Sequence, residues 1–113
     1  MGKTKVKFSE RKIYEPNIYH VYLEFENNER KFLSEIGKNG NILQVEKEEI
    51  NHYILPNVSQ SIEEIKELEK IHNKSYYIFG VNDCRHFCNR MLDSLYEFEI
   101  YECDVIIDNM KLN

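Results

Sequence analysis

The chain has 113 residues, with 15 Lys plus Arg against 20 Asp plus Glu, a formal net charge of −5 and 42% hydrophobic residues. That length suits one domain around a single core, and 8 Tyr and 6 Phe supply enough apolar bulk to exclude wholesale disorder. The acidic balance excludes a broad basic face for nucleic-acid phosphates. No apolar run approaches the roughly 18–20 residues of a membrane span, and the opening MGKTKVKFSERK lacks a signal peptide's apolar stretch. The expectation is a cytoplasmic protein. Three cysteines, an odd number without a secretory signal, argue against a disulfide framework, so the N-x-S matches at Asn57 and Asn73 carry no weight as glycosylation sites. No cofactor is expected, and nothing in the sequence specifies an oligomeric state.

Residues 1–12 carry Lys3, Lys5, Lys7, Arg11 and Lys12 against the single acid Glu10. They read as a solvated or frayed basic arm, with docking to a membrane surface or partner as the sharper alternative. Position 6 is Val, so the N-myristoylation pattern fails. Over residues 18–25, Tyr19, Val21, Leu23 and Phe25 alternate with Ile18, His20, Tyr22 and Glu24, the period of a strand with one buried face. A turn at residues 26–29 and a second strand over 30–36 follow. The run Gly37-Lys38-Asn39-Gly40-Asn41 signals another turn. Residues 42–45 and 52–55 give two further short strands closed by Pro56, completing an antiparallel meander of three or four strands.

The pattern then turns helical. Ser61 followed by Glu64 fits a capping box, and Ile62, Ile65, Leu68 and Ile71 or His72 form one stripe, which predicts a helix over 62–72. Residues 76–81 form an apolar connector. A second helix starts at Asn82 or Asp83, both good caps, with Cys84, Phe87, Cys88, Met91, Leu92 and Leu95 on its stripe. Residues 99–107, rich in β-branched side chains, predict a terminal strand.

Cys84 is the candidate nucleophile. It occupies the first turn of a capped helix, where free N–H groups and the dipole favour a thiolate, and a thiol nucleophile needs a base within reach. His20, mid-strand and 64 residues earlier, is the candidate. Composition alone also allows an inert buried cysteine and a packed histidine.

The segment Tyr77-Ile78-Phe79-Gly80-Val81-Asn82-Asp83-Cys84-Arg85-His86-Phe87 resembles the Y-x6-C-x-H-F stretch of the permuted papain-like thiol hydrolases. These include lecithin–retinol acyltransferase-like proteins and PPPDE-type isopeptidases. The resemblance spans residues 18–95 and implies that Cys84 opens the helix as nucleophile, with His20 on an earlier strand as base. It implies that Tyr77 and the backbone N–H at the helix start steady the oxyanion, and that His86 is structural. Two departures stand out. Asp83 replaces the usual Asn before the cysteine, and no second histidine follows His20 by about a dozen residues. That region offers Phe32, Ser34 and Glu35, of which Glu35 is the tentative third member, orienting His20 from the neighbouring strand.

The sequence therefore predicts a single α+β domain, a short antiparallel sheet packed against helices, of permuted papain-like type. The expected activity is cysteine-dependent hydrolysis of an amide, isopeptide or thioester in a protein or peptide substrate. The alternatives are a catalytically inactive papain-like binding module and acyl transfer or phospholipase action on lipid, the last favoured if the basic arm binds anionic membranes. A metal site built on Cys84 and Cys88 with Cys103, His20 or His86 is disfavoured, because there is no C-x-x-C pair and the spacing is poor for structural zinc.

Overall fold

The computed structural model describes residues 3–14, 18–36, 51–73 and 82–111. Four strands, β1 (Thr4–Tyr14), β2 (Ile18–Asn27), β3 (Arg30–Ser34) and β4 (Asn51–Val58), precede three helices, α1 (Ile62–His72), α2 (Cys84–Leu95) and α3 (Cys103–Lys111). The sheet is antiparallel in the order β3-β2-β1-β4. β1 to β3 form a meander, and β4 then pairs with β1 rather than β3, so the first strand is central.

That position corrects the reading of residues 1–12 as a frayed arm. Val6 and Phe8 alternate with the basic residues and are buried, facing Phe25 and Leu23 of β2 in register. Lys5 and Lys7 obscure this period-two signal because they lie on the other face, where Lys7 meets Glu24 at 2.9 Å. β2 and β3 join through Asn28 and Glu29, both at positive φ (50° and 69°), the geometry of a tight hairpin turn matched to strand twist. Pro56 lies within β4 rather than closing it. An edge strand tolerates proline, and the β1–β4 register shifts by one residue there, between Val6↔Leu55 and Thr4↔Val58. The strand expected over 42–45 lies outside the described residues.

All three helices cover one face of the sheet. Val21, Leu23 and Phe25 of β2 meet Ile62 and Ile65 of α1, Phe87, Cys88, Met91 and Leu92 of α2, and Ile106, Ile107 and Met110 of α3 in one core. α1 begins at the predicted capping box: Ser61 Oγ accepts from the Glu64 N–H, and the Ser61 N–H donates to Glu64 Oε1, each at 3.2 Å. α2 is capped by Asp83, whose Oδ1 accepts from the Arg85 and His86 N–H groups at 3.1 and 3.3 Å. α3 replaces the terminal strand expected over 99–107. Its buried residues Cys103, Ile106, Ile107 and Met110 are spaced 3, 1 and 3, a helical stripe that overrides the β-branched run Val105-Ile106-Ile107. Among the described residues no helix is long and apolar enough to cross a membrane.

Candidate active site

Cys84 is the first residue of α2, and its side chain is buried in the core cluster. Val21, the residue after His20, belongs to the same cluster, and its backbone N–H favours the thiolate. Burial pushes the thiol pKa up, the Val21 N–H opposes this, and the Asp83 carboxylate and the neighbouring Cys103 push it further up. Asp83 thus both caps the helix and disfavours the thiolate. The exposed His86 packs back on the cap, its Nδ1 2.8 Å from Asp83 Oδ1.

His20 is only 1% exposed. Strand alternation sends its side chain to the face opposite Val21, Leu23 and Phe25, away from the helices. There it stacks on Tyr22, ring centroids 6.0 Å apart, with its Nε2 3.4 Å from Glu35 Oε1. Arg11 sits opposite His20 in the β1–β2 register. It ion-pairs with Glu35 and lies over the Tyr22 ring at 4.2 Å, a cation–π arrangement. Glu35 follows the end of β3 and is 2% exposed, so its carboxylate is removed from water and balanced by Arg11.

These contacts set the charge state of the imidazole. Burial and the Arg11 guanidinium lower the His20 pKa to about 4. Glu35 would raise it, but its charge is taken by Arg11, and Nε2 makes no hydrogen bond. At neutral pH both the Cys84 thiol and the His20 imidazole are therefore uncharged.

The structure thus brings His20 and Glu35 together and places Cys84 in the same core cluster as Val21, the residue next to His20. Among the described residues no hydrogen bond or ion pair joins Cys84 to His20. Tyr77 lies outside the described residues. Arg11 and Tyr22, which complete the polar cluster, were missed by the sequence reading. The signal for Arg11 is hairpin register, because folding β1 back on β2 sets it opposite His20. Among the described residues no group of three or more His, Cys, Asp or Glu side chains is arranged to hold a metal ion. No protein-family model, curated protein or solved structure matches the chain.

Proposed function

We propose that the chain is a permuted papain-like thiol hydrolase acting on an amide, isopeptide or thioester of a protein or peptide substrate. The observation that carries this reading is the position of Cys84 as the buried first residue of an Asp83-capped helix, in the same core cluster as Val21, the residue that adjoins His20. The Y-x6-C-x-H-F segment supports it from the sequence. Cys84 Sγ attacks the carbonyl carbon while His20 takes the thiol proton. His20 then returns that proton to the leaving amine or thiol, and water hydrolyses the acyl-cysteine. Glu35 faces Nε2, which leaves Nδ1 for the proton.

Because both groups rest uncharged, the reaction starts by general-base transfer rather than from a preformed ion pair. It requires the His20 ring to reach Cys84 around the edge of β2, beyond Leu23↔Ser34, where its pairing with β3 ends.

One observation favours a second reading, a binding module on a papain-like scaffold. The thiol is pushed up, the imidazole is pushed down, and no bond joins them. Reaction with p-nitrophenyl acetate separates the two. Hydrolase chemistry gives a nitrophenolate burst, an acetyl group mapped to Cys84 by mass spectrometry, and a burst slowed about a hundredfold in His20→Ala, within the range of a general base. Acetylation of Cys84 at the same rate in His20→Ala, or none at all, rejects the hydrolase and selects the binding module.

A further inference from the structure

α2 and α3 meet through sulfur. Cys84 and Cys88 lie one turn apart on the buried face of α2, and Cys103 is the first residue of α3. The Cys103 N–H donates to Asn89 Oδ1 at 2.9 Å, and its thiol to the Arg85 carbonyl at 3.5 Å. These two bonds seat Cys103 over the turn of α2 that contains Cys88, which makes the two side chains neighbours in the core cluster. Both are buried, at 0% and 1% exposure, and all three cysteines are free thiols.

An aliphatic side chain would fill either position. What sets the pair apart is two neighbouring thiols across a helix–helix boundary, separated by a short stretch of chain. Cys84 belongs to the same cluster, one turn before Cys88 at the start of α2.

We propose that Cys88 and Cys103 form a reversible dithiol–disulfide pair that clamps α3 onto α2 when the chain meets a hydroperoxide. The proposal stands whether or not Cys84 is a catalytic nucleophile. The Cys103 thiolate attacks one oxygen of hydrogen peroxide, breaking the O–O bond, forming a sulfenic acid and releasing water once a proton is taken up. The Cys88 sulfur then attacks the sulfenic sulfur, forming the S–S bond, while the Cys88 thiol proton leaves with the expelled hydroxyl as the second water. Two thiols lose two electrons and two protons, and one peroxide becomes two waters. Cys103 reacts first because α3 is a nine-residue helix, with Asp104 and Val105 exposed beside the cysteine, so a local opening of its first turn admits the oxidant. Cys88 lies mid-helix against the sheet.

The test treats the whole chain with hydrogen peroxide under native conditions, blocks residual thiols by alkylation and maps the product by non-reducing mass spectrometry. The expected product is a monomer lacking two hydrogens, linked Cys88–Cys103, reversed by dithiothreitol and melting several degrees above the reduced chain. Cys84→Ser gives the same link, and Cys103→Ser gives none. A bridge that includes Cys84, a disulfide-linked dimer, or three thiols surviving excess peroxide overturns the proposal. The map of the unmutated chain decides this even where Cys103→Ser fails to fold.

Discussion

Replacing His20 by Gln removes a titrating group from the sheet face opposite the helices and makes its protonation state measurable as stability. The imidazole is lowered from 6.5 to about 4. A base with a depressed folded-state pKa is neutral in the fold, while the unfolded chain binds the proton first. Its contribution is therefore fully present above pH 6.5 and is lost as pH falls toward 4. A gap of about 2.5 units corresponds to about 3 kcal/mol in total, of which about 2 kcal/mol is lost between pH 7.5 and pH 5. Glutamine keeps a polar head beside Glu35 and Tyr22 and does not titrate. Urea unfolding followed by circular dichroism, at constant m, is expected to show the parent more stable than His20→Gln at pH 7.5, with the gap narrowing by about 2 kcal/mol at pH 5. The difference between the two chains is the useful quantity, because Glu69 titrates in the opposite sense over nearly the same range. Parallel curves across that range refute the reasoning, since a solvated His20, or one charged against Glu35, loses no stability in that window.

Glu69 is buried on α1, between Ser34 and Asn73, and burial raises its pKa from 4.5 to about 7. The fold therefore prefers the protonated acid, and the cost of ionising it is absent below pH 4.5 and complete above 7. Glu69→Gln is expected to be about 2–3 kcal/mol more stable than the parent at pH 8 and equal to it at pH 4.5, read by thermal unfolding at both values; an unchanged gap places the carboxylate in water. Asp83→Asn keeps the helix cap but removes a charge that raises the Cys84 thiol. Its iodoacetamide alkylation profile is expected to shift to lower pH with little change in stability, and an unmoved midpoint excludes Asp83 as a determinant of Cys84 reactivity.

The helices α1 and α2 were legible because their signals are local. Ser61 and Glu64 name a cap, and six apolar positions from Cys84 to Leu95 repeat at helical spacing, all of them buried. β1 was not legible, because its charges report the outer face of a sheet rather than solvent. Lys7 needs Glu24, and Arg11 needs Glu35, before either looks like part of a strand. Those partners are supplied by register, which single-residue composition does not carry. α3 failed for a related reason: Val105, Ile106 and Ile107 favour a strand by propensity, and the stripe from Cys103 to Met110 wins only once α2 and the sheet are there to cover it.

The site divides along the same line. The first-turn position of Cys84 follows from helix periodicity, and the buried face of β2 from alternation. Yet that alternation, pursued one step further, assigns His20 to the face that α2 does not touch. Cys84 therefore shares the core cluster with Val21 and not with the imidazole, and His20 is left among Arg11, Tyr22 and Glu35. Glu35 was reached from sequence as a neighbouring-strand carboxylate, but the partner that fixes its charge, Arg11, was assigned to solvent. An acid expected to support the base is already occupied by a guanidinium. On the proposed hydrolase reading, reaction at Cys84 begins with an imidazole whose neutrality comes from burial and Arg11, and the separation of the two faces of β2 is the barrier that a ring rotation must close.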